Sequence, residues 1–291
     1  MESIAVIGCG AMGKGIVKNL LLNGLTVFVH DASLEAMERC AKLGAIPKPT
    51  AFTAATNAEL VITSLPGPEA VKDVMIGQNG VFESLKPNSF VIDMSTIDPE
   101  TAQDLYRVGK QNGIHYYDCP VSGGPKGADA GTLTIMVGGD KLYLEEIYPI
   151  IHFVGKDIFY LGPTGAGQVA KLCHNMLVAV ITASLGEAFK VGEKAGISRN
   201  QLASVIQSGS AHNRVLNVFG ENILQNSYEN VLFSLEHMNK DIHLYSKTAS
   251  FYKENSPIAQ LACDLYKKAM EQGKGKLDSS AVCDLPNEHL I

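Results

Sequence analysis

At 291 residues, 46% apolar and 19% charged, the chain has the composition of a well-buried globular protein and a length that predicts two domains. Its net charge of −6, with no extended Lys/Arg cluster, argues against a nucleic-acid surface, so an anionic ligand must be held by local devices such as helix dipoles. Cys9, Cys40, Cys119, Cys173, Cys263 and Cys283 form no CxxC pair and no metal-ligand spacing, which predicts free thiols in a reducing compartment and no metal.

The first strand is expected by Ser3, which leaves no room for a leader, and no apolar run is read as approaching the ~20 residues of a bilayer span. The expectation is a cytoplasmic protein with neither membrane nor nucleic acid as partner. Ser3 to Ile7 (SIAVI) reads as a buried strand that breaks into Gly8-Cys9-Gly10-Ala11-Met12-Gly13. A helical pattern follows, with Ile16, Val17, Leu20 and Leu21 on one side, then a second strand, Thr26 to His30, closed by Asp31. This is G-x-G-x-x-G between strand and helix, with an acid at the end of the next strand. Gly8 permits the tight turn, Gly10 lets backbone approach a pyrophosphate and Gly13 packs helix on strand. The helix N-terminus beginning at Ala11 and Met12 offers N–H groups to the phosphates. Asp31 suits the ribose hydroxyls of NAD and repels a 2′-phosphate, and Ala32 and Ser33 supply no cation, so NAD is favoured over NADP.

Leu60 to Leu65 and Ser89 to Met94 are further strands, stopped at Pro66-Gly67-Pro68 and at Ser95-Thr96. Helices are expected at about Glu69 to Val74 and Pro99 to Asn112, and the alternation indicates an α/β doubly wound parallel sheet of Rossmann type. Ligands in such sheets sit beyond the carboxyl ends of strands, which marks Leu65, Pro66 and Thr96. Ser95 or Thr96 as a helix cap is the plainer reading, and the two are compatible. After a short strand, His115 to Cys119, the glycine-rich Pro120 to Ala128 is either a nest for an anion or a flexible loop. Strand Leu133 to Val137, helix Lys141 to Ile151 and strand Ile158 to Leu161 complete a first domain over 1–163.

From Gly162 to Gly196 the pattern is one helix, about 166–194 and roughly 40 Å long, with no charge between Met176 and Leu185. Lys171 and Asn175 are four apart and share a face. Beyond it the pattern is purely helical, breaking near Gly209, Asn226, Pro257 and Gly273, so 164–291 reads as an all-α domain joined to the sheet by the long helix. Its apolar Leu244, Tyr245, Phe251, Tyr252, Leu261 and Leu265 predict a homodimer or homotetramer.

GCGAMG, DCPVSGGPKGA (Asp118 to Ala128), GAGQVAKLCHN (Gly165 to Asn175) and Phe233 with Lys240-Asp241 together resemble the β-hydroxyacid dehydrogenases. That family includes 3-hydroxyisobutyrate dehydrogenase and tartronate semialdehyde reductase, with 6-phosphogluconate dehydrogenase more distant. The resemblance covers essentially the whole chain. It implies a site in the cleft between the domains, with Ser122, Gly123 and Gly124 on the substrate carboxylate. Lys171 would be the catalytic lysine and Asn175 its orienting partner. Thr96 would lie against the nicotinamide, with Phe233 and Lys240 closing the pocket. The chain departs from the family's usual Lys-x-x-Asn-Asn by carrying His174, as the 6-phosphogluconate branch does, which leaves the substrate subclass open. The implied activity is hydride transfer between NAD and a small 3-hydroxy acid. The alternatives are an imine or other carbonyl reductase of the same fold, or a non-catalytic NAD-binding interaction module. His212, Asn213 and Arg214 either reach a second polar group on the substrate or form a helix N-terminal surface.

Overall fold

The computed structural model describes residues 1–285, and the end of the expected helical domain, 286–291, lies outside them. Its first half alternates β1 (Ser3–Ile7), α1 (Ala11–Leu22), β2 (Thr26–His30), α2 (Leu34–Ala41), β3 (Ile46–Pro47), α3 (Ala51–Ala55), β4 (Leu60–Thr63) and α4 (Pro68–Ile76). There follow α5 (Val81–Ser84), β5 (Phe90–Asp93), α6 (Pro99–Gln111), β6 (His115–Asp118), β7 (Val121–Ser122), α7 (Gly124–Ala130), β8 (Leu133–Gly138), α8 (Leu144–Val154) and β9 (Gly155–Gly162). The strand order is β3-β2-β1-β4-β5-β6-β8-β7, with β9 paired to β8. Successive residues of each strand point to opposite faces. Ile4, Val6, Leu60, Ile62 and Ile92 therefore enter one apolar cluster, and Ala5, Ile7, Val61 and Val91 another. With both faces covered by helices, the strands need no polar side, which is why they read as continuous apolar runs.

Two features differ from the expectation. The sheet is parallel from β3 to β6 and again between β8 and β9, but β8 runs antiparallel to β6 and β7. The chain leaves β6 without a full crossover: left-handed Gly131 (φ 66°) ends α7, and β8 returns along the edge. The glycine-rich stretch is also not a plain loop. Ser122 of β7 pairs with Thr134 of β8, and Gly123 (φ 128°) and Gly124 (φ 62°) make the turn into α7.

The long helix, α9, spans Ala166–Lys194, 29 residues. The chain divides into two compact units at Lys171/Leu172, inside this helix, where the sequence suggested the turn at 163/164. The first turn belongs to the sheet unit because its amides are bonded to Asp118 and its backbone packs on β8.

In the second unit Ala179, Leu185 and Phe189 of α9 join the core formed with α10 (Arg199–Ser208), α11 (Arg214–Gln225), α12 (Leu235–Phe251) and α13 (Pro257–Glu271). Ser198, Asn213 and Ser234 cap three of these helices through their side-chain oxygens, and Asn226 ends α11 in the left-handed conformation. By length and a mean hydropathy of 1.4 over its most apolar 18 residues, α9 also matches a bilayer-crossing helix, which corrects the expectation that no apolar stretch reaches that size. Only 39% of that window is buried within the chain, and Leu177 and Val191 of α9 are more than half exposed.

Candidate active site

Within the first unit, the turn after β1 is built by steric necessity. Gly8 (φ 97°) receives backbone so closely that a Cβ there would lie 2.2 Å from the Ser64 carbonyl oxygen, and one at Gly13 would lie 1.8 Å from the Gly8 oxygen. A Cβ at Gly10 would meet nothing within 4 Å, so this glycine keeps an approach open instead of relieving a clash. α1 begins there with no side-chain cap and no acid in its first turn, leaving the positive end of its dipole to Ala11 and Met12. Asp31 is tied to this turn: its carboxylate accepts from the Cys9 amide at 2.6 Å and the Ser33 amide at 2.7 Å. Open backbone, bare helix end and an acid at the tip of β2 fit a dinucleotide.

Leu65, Pro66 and Thr96 follow β4 and β5, adjacent parallel strands, and so share the sheet edge of the glycine turn. The Leu65 amide donates to Ser95 Oγ at 2.9 Å. Neither Ser95 nor Thr96 caps α6; Asp98 does, accepting from the Thr101 amide at 3.0 Å. Asp93 and Asp118, register partners at the ends of β5 and β6, are both fully buried. Asp93 accepts from the Thr63 hydroxyl, the Ser95 amide and the Tyr116 hydroxyl, and burial nonetheless pushes its pKa up. Asp118 accepts from the Gly165 and Gln168 amides at 2.8 and 2.9 Å, and burial pushes it up to about 7. The Gln168 side chain accepts from the Ile97 amide and donates to the Ser95 carbonyl, both at 3.0 Å. Asp118 and Gln168 lie within the sequence motifs, which by themselves assign them no role. Their signal was the polar residue itself, in a stretch otherwise apolar or Gly-rich.

Lys171 and Asn175, both buried, stand one turn apart on the continuous α9. In the second unit Asn175 Nδ2 donates to Asp241 Oδ2 at 2.6 Å, and Asn175 Oδ1 lies 2.9 Å from His174 Nδ1. The Asn175 amide is thereby oriented, its nitrogen toward Asp241 and its oxygen toward His174. Asp241, 1% exposed, is another residue to which its sequence motif assigns no role. Lys240 Nζ sits 2.9 Å from Asp241 Oδ1. Phe233 lies just before α12, its amide donating to Asp278 at 3.2 Å and its ring 6.0 Å from that of His237. His212 and Arg214 are exposed and Asn213 caps α11, so this trio forms a helix N-terminus. Among the described residues no three His, Cys, Asp or Glu side chains are grouped to hold a metal ion.

Two family models span the chain. One, described as the NAD binding domain of 6-phosphogluconate dehydrogenase, matches residues 3–162. The other, described as NAD-binding of NADP-dependent 3-hydroxyisobutyrate dehydrogenase, matches residues 165–285. The chain is 35% identical to the NAD-dependent L-serine dehydrogenase of Pseudomonas aeruginosa, over 97% of both chains. It is 33% identical to the 2-(hydroxymethyl)glutarate dehydrogenase of Eubacterium barkeri, over 96% of this chain and 93% of that one. The solved structure of Mycobacterium tuberculosis 3-hydroxyisobutyrate dehydrogenase with L-serine superposes with a TM-score of 0.89 at 32% identity, covering 98% of each chain.

Proposed function

We propose, from the premise that this chain belongs to the β-hydroxyacid dehydrogenase family of NAD(P)-dependent oxidoreductases, that it oxidises a small acid of the form HOCH2–CHR–COO⁻ to its semialdehyde and catalyses the reverse. L-Serine and 2-(hydroxymethyl)glutarate, the substrates in its relatives' names, share that primary alcohol on a carboxylate-bearing carbon. The observation that carries the reading is the buried pair Lys171 and Asn175, one helical turn apart, with the Asn175 amide oriented by Asp241.

When bound, the nicotinamide supplies the hydride acceptor. Lys171 takes the hydroxyl proton during oxidation and, as an ammonium, polarises and protonates the carbonyl during reduction. Asn175, unable to titrate, directs its second amide hydrogen at the same oxygen without competing for the proton. Ser122 and the backbone at Gly123 and Gly124 hold the carboxylate, assisted by Lys240, so that the alcohol is presented to Lys171. Gly8, Gly10, Ala11, Met12 and Gly13 hold the pyrophosphate, Leu65, Pro66, Thr96 and Phe233 border the cofactor, and Asp31 selects NAD over NADP through the ribose hydroxyls.

The test is a panel of 3-hydroxyisobutyrate, L-serine, glycerate, threonate and 4-hydroxybutyrate, each with NAD and NADP. Turnover of a HOCH2–CHR–COO⁻ acid with NAD, and none of 4-hydroxybutyrate, is expected. A tenfold or larger preference for NADP overturns the role given to Asp31 (about 1.4 kcal/mol). Reduction of cyclic imines in place of the panel would mark an imine reductase, and NAD binding without any turnover a binding module.

A further inference from the structure

We infer that Gln168 is a positioning residue for hydride transfer: its side-chain amide clasps the backbone on both sides of Thr96 and holds that segment to the helical turn that carries Lys171. The inference rests on the proposed roles of Thr96 beside the nicotinamide and of Lys171 as acid/base.

Gln168 is fully buried, and both ends of its amide are used on one short segment, Oε1 for the Ile97 N–H and Nε2 for the Ser95 carbonyl, each at 3.0 Å. A donor and an acceptor at the end of a two-methylene arm are both required. Glutamate as the carboxylate lacks the donor, asparagine lacks the reach, and an apolar side chain lacks both. Lys171 follows three positions later, so it and Gln168 are neighbours along one side of the helix.

The helix does not need this side chain for its own attachment. Asp118 already accepts from the Gly165 and Gln168 amides, and Gly167 lies so close to β8 that a Cβ would stand 2.4 Å from the Met136 oxygen. What the Gln168 side chain adds is a direct bond from that anchored turn to the backbone at Ser95 and at Ile97. Small displacements of a reacting pair lower turnover steeply while leaving binding nearly intact.

The experiment compares the full-length parent with Gln168→Met, which keeps the length and packing of the side chain, and Gln168→Asn, which keeps the amide but shortens the arm. kcat with NAD and the best acid of the panel, the primary isotope effect with that acid deuterated at the carbinol carbon, the Kd of NADH and the emission lifetime of bound NADH are measured. In both variants kcat should fall by about tenfold or more and the isotope effect should rise. The NADH Kd should stay within about threefold while the bound-NADH lifetime changes. A kcat within about threefold of the parent, or a loss of NADH affinity that matches the loss of turnover, overturns the proposal. So does failure of both variants to fold, which would assign Gln168 to the framework. If the parent turns over no hydroxy acid, the proposed function fails, and the bound-NADH lifetime then decides the role of Gln168 alone.

Discussion

Lys171 is the only ammonium that the proposed reaction uses to move a proton. Lys171→Ala is expected to lower kcat by ~10² to 10⁴, the usual worth of a positioned acid/base, with NAD affinity little changed. Steady-state kinetics beside an NADH titration separates the two, and a variant keeping more than a tenth of the parent kcat would make the lysine structural. Asp118 carries a different prediction. Burial raises its pKa from the ordinary 3.8 to about 7, so the folded protein holds a proton that the unfolded chain has already released. Its favourable contribution is therefore complete below about pH 4 and disappears as pH rises through about 7. Asp118→Asn cannot ionise and, although it loses one acceptor for the helix amides, should lose less stability than the parent over that interval. Melting curves from about pH 4 to about pH 7 test this, and parallel declines in both proteins would refute it.

At the scale of elements, two glycines at helix starts are expected to answer differently to the same methyl group. Gly10, at φ −63° with open space around its missing Cβ, should accept alanine with an unchanged melting temperature. NAD should nonetheless bind about tenfold more weakly, because the methyl occupies the approach to the α1 N-terminus. Gly167→Ala would place its methyl 2.4 Å from the Met136 oxygen and 2.7 Å from the Asp118 oxygen. It should cost about 1–3 kcal/mol of stability in denaturant titration, as overpacking does. Equal effects on stability in the two variants would mean that the first turn of α1 is closed by packing in the same way as that of α9.

For the whole molecule, the helical unit leaves Leu177, Val191, Phe251, Ile258 and Leu261 more than half exposed. We propose that these side chains belong to an association face. We propose a homodimer or homotetramer burying more than about 2,000 Å². Light scattering at micromolar concentration checks it, and a single species at the chain mass of 31.2 kDa would dismiss it.

Local sequence pattern was enough for the longer strands and helices of the chain. Apolar runs, Gly turns and helical spacing are local periodicities, so β1, β2, β4 and β5, the dinucleotide turn at Gly8 to Gly13 and the placing of Lys171 and Asn175 on one face were legible before any contact was known, whereas the two-residue β3 is too short to show a period. The strand edge where β8 turns antiparallel, the helical start at Gly124 and the division of the chain inside α9 were not, because they depend on what packs across the sheet. The same holds for the residues that hold the site in register. Asp118, Asn175 and Gln168 bond to partners 47, 66 and 71 positions away in the chain. No local pattern encodes such separations. They exist because strand register and helix packing bring those atoms together, and a buried carboxylate or amide is tolerable only once that partner is in place.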